Sequence, residues 1–362
     1  MKAFFLRHRK LHLGLLAELV LYGVFCLVSR IPSAASQAAA GARRVRLALA
    51  ALSYRVSFSV MELLCGLVVL LAAAYLLGTA VAVLRRPDKR GRRLYSAALG
   101  ALCIAGGIYL GFCWLWGICY TQPSFQDQSG IRAEAVSTRK LEAVTEYFAD
   151  QLARTAPQVE RDADGGFSVS VSAILAHCTQ VYGPLTEQYP FLAFEDPGVK
   201  TVHFSRLMSR LDFTGVYCPF TGESNVNVDA PACLLPSTAA HELAHQRGFA
   251  SEQECNFISI LACTRSGFAE YAYSGWLLGY IHLANALYQA DRAAWQRITE
   301  ALPDSVRTDL WTNNAYWAQF QESGIKKASN AVYDRFLKSY GVEEGMRSYG
   351  MVVDLLVAYP WA

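Results

Sequence analysis

Three long apolar stretches occupy the first third of the chain, at residues 11–29, 63–84 and 96–120. A helix of roughly 20 apolar residues crosses a hydrocarbon core of about 30 Å, and each stretch is long enough to do so. The second and third contain no charged side chain, and the third ends in tryptophans and a tyrosine, as is typical of a membrane interface. The pattern predicts three transmembrane helices.

The first stretch leaves two interpretations open. It contains His12 and Glu18, follows a basic segment and precedes a run of small residues, so a cleaved signal peptide is one interpretation. A charge inside the apolar region is costly, and we therefore favour an uncleaved first helix.

The loop at residues 85–93 sets the predicted orientation because its sequence, RRPDKRGRR, carries six cations between two close spans. Such loops stay in the cytoplasm, so everything after the third span is predicted on the outer side. Five arginines oppose this orientation, namely Arg30, Arg43, Arg44, Arg46 and Arg55. Their spacing suits an amphipathic helix in the membrane interface, which weakens the prediction without reversing it.

The rest of the chain has the pattern of one globular domain at residues 131–362, joined to the spans by a polar linker at 121–130. Its predicted elements are helices at 132–155 and 168–189, short β-prone runs at 199–204 and 225–228, and helices from Pro236 to nearly the end. We expect an α+β fold dominated by helices. Residues 271–290 are uncharged, but their polar side chains favour a buried or membrane-abutting helix over a fourth span.

Composition and charge agree with a membrane protein, because 53% of the 362 residues are hydrophobic. The net charge of +3 hides an asymmetry, since residues 1–93 hold 15 of the 33 Lys and Arg but only three of the 30 Asp and Glu. The basic part is expected to face anionic lipid. The acidic remainder lacks basic runs interleaved with aromatic residues, which excludes nucleic-acid binding.

The run HELAHQRGFASEQECN, at residues 241–256, carries the candidate chemistry. His241 and His245 are four residues apart, so both imidazoles project from one face of a helix and can bind a single Zn²⁺. Glu242 lies beside them and can act as general base toward a water molecule that the zinc activates. Helix-start signals at Pro236 and a stop signal at Gly248 frame the motif.

A catalytic zinc needs a third protein ligand, and two glutamates compete for this role. If Gly248 turns the chain and a second helix starts near residue 251, Glu252 or Glu254 can approach the metal. Glu252 is preferred because Asn256 follows one helical turn later, where its amide can hydrogen-bond a ligating histidine. Glu254 remains the alternative. No outer cysteines form a C-x-x-C pair, so a cysteine zinc cluster is unsupported.

A turn-rich segment upstream of the motif leads into a short alternating strand. Residues 226–228 are a candidate edge strand for binding an extended peptide, with candidate substrate-binding residues at Glu223, Asn225, Val226 and Asn227. An ordered loop packed on the zinc helix is an equally good interpretation. The donor for a developing oxyanion is left open among five residues: His203, His282, Arg265, Tyr271 and Tyr349.

Three segments carry a family resemblance: SRLMSRLDFTGVYCPFTGESNVN, HELAHQRGFASEQECNF and YDRFLKSYGVEEGMRSYGMVVDLL. With these the chain resembles a bacterial membrane-protein family known as domain of unknown function 3810. The resemblance covers most of the chain and implies a zincin-like domain of the gluzincin type, preceded by transmembrane helices. Asn256 stands where the gluzincin pattern has aspartate, and Cys255 where such helices usually carry alanine.

The prediction from these observations is a membrane-anchored zinc metallopeptidase that hydrolyses peptide or protein substrates with one catalytic Zn²⁺. It is expected in the bacterial cell membrane with its catalytic domain on the extracytoplasmic side. The alternative is a catalytically quiet zinc-binding sensor or scaffold. Glu242 separates the two, since a structural zinc site needs no general base. A transporter is disfavoured because none of the three spans carries a charged pathway through its centre.

Overall fold

The computed structural model describes residues 7–132, 136–320 and 350–361, and the chain divides into two compact units. Unit 1 comprises Met1–Ser53, Val60–Gln122 and Pro219–Gly222. Unit 2 comprises Tyr54–Ser59, Pro123–Cys218 and Glu223–Ala362. The predicted membrane segments therefore belong to unit 1 and the predicted zinc motif to unit 2. Two short segments are assigned to the other unit than their neighbours in sequence, namely Tyr54–Ser59 and Pro219–Gly222.

Unit 1 is built from four long helices: α1 (Arg9–Ser29), α2 (Pro32–Ser53), α3 (Val60–Arg85) and α4 (Arg90–Leu115). Three helical segments in the described residues are long and apolar enough to cross a membrane, namely Arg9–Ser29, Val60–Arg85 and Pro87–Leu115. The three predicted apolar helices are thus confirmed. The predicted third span, 96–120, runs too far, because the α-helix ends at Leu115 and Gly117–Thr121 forms a 3-10 helix.

The polar residues of α1 contact α4. His12 Nε2 lies 2.8 Å from the Tyr95 hydroxyl, and the Glu18 carboxylate lies so close to Gly106 that a side chain there would collide with it. Further along, the ring of Tyr22 packs on that of Tyr109. These contacts run in the same order along both helices, so α1 and α4 are parallel. Their basic N-terminal ends therefore lie at one end of unit 1.

The predicted arginine helix is present as α2, but it carries only Arg43, Arg44 and Arg46, since Arg30 precedes it and Arg55 follows it. Arg46, on α2, is buried and donates to the Leu115 carbonyl at 2.6 Å. Its guanidinium also lies over the ring of Trp116. The other four arginines, at positions 30, 43, 44 and 55, are exposed. Arg46 is therefore a packing residue that satisfies the C-terminal carbonyl of α4.

Unit 2 is mainly helical, with few strands, which confirms the helix-dominated fold class. Its helices within the described residues are α5 (Phe125–Ser129), α6 (Thr138–Thr155), α7 (Val171–His177), α8 (Gly183–Gln188), α9 (Ser205–Arg210), α10 (Leu235–Arg247), α11 (Glu252–Arg265), α12 (Ala269–Ala290), α13 (Arg292–Glu300), α14 (Asp304–Ala318) and α15 (Gly350–Ala358). The predicted helix at 132–155 begins only at Thr138, where the Ser137 side chain caps it. The predicted helix at 168–189 is divided between α7 and α8.

The strands form one small sheet with the order β1-β3-β2. Its members are β1 (Lys200–Thr201), β2 (Gly215–Cys218) and β3 (Glu223–Val226). β1 runs parallel to β3 and β2 runs antiparallel to it. The central strand is thus β3, and among the described residues β2 has a neighbour on one side only.

Helix α12 forms the middle of the core of unit 2. Its residues Tyr271, Tyr273 and Leu283 are fully buried, and Gly279 lies against the ring of Phe148 on α6. α12 is not among the segments of the described chain that could span a membrane. Residues 271–290 therefore form the buried helix that their polar side chains predicted.

Candidate metal centre

Helices α10 and α11 hold the candidate site at the turn between them. α10 begins with Pro236 in its first turn and ends at Gly248, whose φ of +103° is readily adopted by glycine alone. Ser251 then precedes α11, so Glu252 and Glu254 lie in its first turn. The glycine turn therefore brings the HELAH and EQECN segments face to face.

Three side chains converge between the two helices. His241 Nε2 lies 3.1 Å from His245 Nε2 and 3.1 Å from Glu252 Oε2, and His245 Nε2 lies 3.6 Å from Glu252 Oε1. Ligands of a tetrahedral zinc, with bonds of about 2.0–2.1 Å, are about 3.3 Å apart. The three observed separations differ from that value by about 0.3 Å or less, so the donor set fits a zinc ion.

The outer nitrogen of each histidine is held by an acceptor. His241 Nδ1 lies 2.9 Å from Asn256 Oδ1, and His245 Nδ1 lies 2.8 Å from the Phe249 carbonyl oxygen. A carbonyl oxygen can only accept, so each Nδ1 carries a proton, and Nε2 is the nitrogen that faces Glu252. Each ring is therefore oriented so that its Nε2 can bind a metal ion once that nitrogen has lost its proton.

Cys255 also lies near the histidines and could be counted with them as a third ligand. Its Sγ, however, lies 3.3 Å from His245 Nδ1 and 3.3 Å from the Phe249 carbonyl oxygen. This is the outer side of the ring, opposite the Nε2 atom that faces His241 and Glu252. Burial raises the pKa of the Cys255 thiol to about 11, which keeps it protonated. We assign Cys255 to packing behind His245.

Glu252 and Glu254 have different environments. Glu252 faces the histidines, and Glu254 points away and accepts a hydrogen bond of 2.6 Å from the Phe125 N–H at the start of α5. Burial raises the pKa of Glu254 to about 7. For Glu252 burial opposes ionisation, but the charge of His245 and hydrogen bonds from both histidines hold its pKa well below the usual range. The preferred candidate, Glu252, is thus the one that faces the donor atoms.

Glu242 is 3% exposed and extends between α10 and strand β2. Its Oε2 atom has no hydrogen-bond partner in the described part of the chain, and burial raises its pKa to about 7. Gly215 lies directly against it, since a Cβ at that position would be 2.8 Å from both Cγ and Cδ of Glu242. Sequence reasoning missed Gly215. The available signal was the position of this glycine directly before Val216 and Tyr217, since a glycine in a strand often marks a close approach of backbone to another group.

The four predicted substrate-binding residues are buried. Glu223, Asn225 and Val226 are 0% exposed and Asn227 is 3% exposed, so their side chains do not line an accessible surface. Glu223 pairs with Lys200 Nζ at 2.6 Å, and Asn227 donates to Ser209 Oγ at 2.8 Å. Burial argues against direct substrate contact and favours the alternative interpretation, a segment packed on the zinc helix.

The predicted edge strand is also wrong, because β3 is the central strand of the sheet. It pairs with β1 and β2, and Ser224 Oγ donates to the Glu242 carbonyl at 2.9 Å. β3 thus holds α10 in place. In the described residues the two edge strands are β1 and β2, and β2 is the one that passes Glu242.

The five candidate oxyanion donors have separate locations. Tyr271 is buried and donates to the Ile174 carbonyl, Arg265 bonds Tyr359, and Tyr349 lies outside the described residues. His203 packs on the ring of Phe204. His282 lies within electrostatic range of His241, and its buried Nε2 has no hydrogen-bond partner among the described residues. His282 is therefore the candidate nearest the site.

A buried ion pair fixes the C-terminal end of α10. Arg247 bonds both carboxylate oxygens of Asp196, at 2.6 and 2.7 Å, and both side chains are 2% exposed. The guanidinium also lies 3.6 Å from the ring centroid of Tyr182. A bidentate arginine–carboxylate pair is rigid, so it anchors the helix that carries the histidines.

Replacing Asn256 by leucine is expected to weaken zinc binding by about 10–100-fold, because His241 then loses the acceptor that sets its orientation and tautomer. Competition with a fluorescent zinc chelator measures this affinity. Asn256→Asp serves as the matched control, since it keeps an acceptor oxygen and should retain binding. Equal affinity of the leucine variant and the unchanged protein would show that the amide has no part in metal binding.

Comparison with known proteins places the chain in a family. Residues 44–357 match the family described as protein of unknown function (DUF3810). Neither the curated proteins nor the solved structures contain a match to the chain. The matched region includes α10, α11 and most of the described chain. Since it covers well over half of the 362 residues, the chain belongs to the DUF3810 family.

Proposed function

We propose that the protein is a membrane-anchored zinc metallopeptidase with a zincin-like catalytic unit. The observation that carries this proposal is the convergence of His241 Nε2, His245 Nε2 and the Glu252 carboxylate, with both histidine Nδ1 atoms held by acceptors. The Glu252 carboxylate lies against both histidines, and a divalent cation that binds there would displace the histidine protons.

The residues of the chain divide the proposed reaction between them. His241, His245 and Glu252 would hold one Zn²⁺, which supplies Lewis-acid chemistry by lowering the pKa of water and polarising a carbonyl. Glu242 takes the proton of the attacking water and passes it to the leaving amine. Asn256 and the Phe249 carbonyl keep the two rings in place. This proton transfer needs a buried base with an oxygen atom that can accept a proton, and Glu242 Oε2 has no hydrogen-bond partner among the described residues.

The substrate class that fits the site is an extended peptide. β2 is the edge strand beside Glu242, and an extended chain can add to such an edge through backbone hydrogen bonds. A folded protein would have to unfold locally to present an extended segment to β2.

The location that we propose is the bacterial cell membrane, with unit 2 on the extracytoplasmic side. Three apolar helices and the basic ends of α1 and α4 support it. Protease added to intact spheroplasts tests the orientation, since it digests unit 2 when that unit is outside and spares it when it is inside.

The full-length protein in detergent is expected to contain one zinc per chain and to cleave fluorescently labelled β-casein, an unstructured reporter. Treatment with EDTA should remove the metal and the activity together, and added Zn²⁺ should restore both. Metal analysis and fluorescence release measure the two quantities. Ca²⁺ serves as the control, because it prefers six to eight oxygen ligands and should not restore cleavage.

Two other outcomes decide against the peptidase. Zinc at one equivalent without cleavage of any unstructured reporter would favour the catalytically quiet sensor or scaffold. Cleavage that survives complete removal of the metal would show that the activity does not come from this site.

A further inference from the structure

Gly215, the first residue of β2, has no side chain at the point where β2 meets Glu242. A Cβ built there would lie 2.8 Å from Cγ and from Cδ of Glu242, and closer still to Oε1. Real Cβ atoms do not approach other atoms so closely. The φ of Gly215 is not positive, so the backbone conformation does not demand glycine. Glycine is required instead because Glu242 occupies the space that a side chain would need.

The hydrogen-bond ladder shows which way the backbone groups of Gly215 point. Thr214 lies opposite Asn227, because the register pairs Gly215 with Val226, and the Asn227 N–H donates to the Thr214 carbonyl at 2.9 Å. In an antiparallel pair, the backbone N–H and C=O of one residue point toward the partner strand, and those of the next residue point away from it. The N–H and C=O of Gly215 therefore face away from β3, toward the side of β2 that has no strand partner among the described residues.

We infer that Gly215 is a positioning residue that fixes both the carboxylate of Glu242 and the register of a bound peptide. The inference rests on the proposed peptidase function. An extended substrate that pairs with the N–H and C=O of Gly215 brings its adjacent peptide bond beside Glu242. The occupant is thus a single extended peptide strand, bound through its backbone, with the scissile bond next to the residue opposite Gly215.

Gly215→Ala tests the positioning of Glu242. The new methyl group must displace the carboxylate, and a misplacement of about 1 Å at a reacting group lowers kcat by about 100-fold. Zinc content should stay at one equivalent, because the three atoms nearest to a Cβ at Gly215 all belong to Glu242, which is not one of the three proposed ligands. The matched control is Val216→Ala, one residue along the same strand and directed to its other face, with kcat within about twofold of the unchanged protein.

A second measurement keeps the inference testable if Gly215→Ala does not fold. The unaltered enzyme is given a series of peptides that contain one cleavage site and one N-methyl group, moved residue by residue along the chain. N-methylation at the residue that pairs with Gly215 removes the donor to its C=O and should prevent cleavage. Methylation of the neighbour whose nitrogen lies outside the scissile bond should be tolerated, because its N–H faces away from β2.

The outcomes separate this inference from the function on which it rests. If the enzyme cleaves peptides and Glu242→Gln does not, while Gly215→Ala cleaves at the full rate, only the positioning role is overturned. Uniform tolerance of N-methyl groups overturns the register in the same way. If the zinc-loaded enzyme cleaves no peptide at all, the proposed function fails and the inference falls with it.

Discussion

Glu242→Gln is expected to lower kcat for peptide hydrolysis by about 10²–10⁴-fold while leaving zinc at one equivalent per chain. Glutamine keeps the size of the side chain but cannot accept the proton of the attacking water. The metal is unaffected because Glu242 is not among the converging donors, His241, His245 and Glu252. Steady-state cleavage of a fluorogenic peptide and metal analysis of the same samples measure both quantities.

The same substitution should not destabilise the protein, which distinguishes a chemical defect from misfolding. Burial raises the pKa of Glu242 to about 7, so in the zinc-free protein the folded state favours the protonated carboxyl. Ionisation therefore costs stability as the pH rises from the unfolded pKa, near 4.5, through 7. Glutamine removes this cost, and the zinc-free variant should unfold at the same temperature as the unaltered protein or higher at pH 8.

Full activity of Glu242→Gln would contradict the general-base role and with it the mechanism. Zinc binding without hydrolysis in both proteins would instead leave the quiet zinc-binding sensor or scaffold as the better interpretation. The two results differ in the activity of the unaltered protein, which therefore has to be measured first.

The features that sequence predicted correctly depend on local spacing. Residues four apart on a helix must share a face, so His241 and His245 converge whatever the rest of the fold. Asn256 one turn after Glu252 follows the same rule, and the predicted hydrogen bond to His241 is present. The three apolar helices needed only a count of consecutive apolar residues. In each case the period of one helix determined the outcome.

The features that the sequence predicted wrongly depend on contacts between residues that are distant in the chain. Residues 226–228 were predicted as an edge strand, but pairing with both Lys200–Thr201 and Gly215–Cys218 makes β3 central and buries its side chains. Arg46 has the spacing of an exposed face, yet the carbonyl of Leu115, 69 residues away, binds it inside unit 1. Period alone does not reveal which neighbour covers a face.

Glu252→Gln is expected to weaken zinc binding by more than about 100-fold, because it removes a charged ligand. Loss of a residue that only hydrogen-bonds a ligand, such as Asn256, weakens binding by about 10–100-fold. The carboxylate contacts both histidines, and its negative charge offsets that of the divalent ion. A glutamine at this position provides only one neutral oxygen. Hydrolysis should fall in proportion to the zinc lost and return in part at high Zn²⁺ concentration. Chelator competition measures the affinity, and a zinc titration of activity measures the recovery.

Glu254→Gln is the matched control, since it changes the same side chain in the same turn of α11 but on the side that faces away from the histidines. Its carbonyl oxygen can still accept from the Phe125 N–H, so zinc affinity and activity should be unchanged. The neutral amide also avoids the cost of ionising a buried carboxyl with a pKa of about 7. If Glu254→Gln lost the metal and Glu252→Gln kept it, the third ligand would be Glu254, and the first turn of α11 would have to rotate when zinc binds.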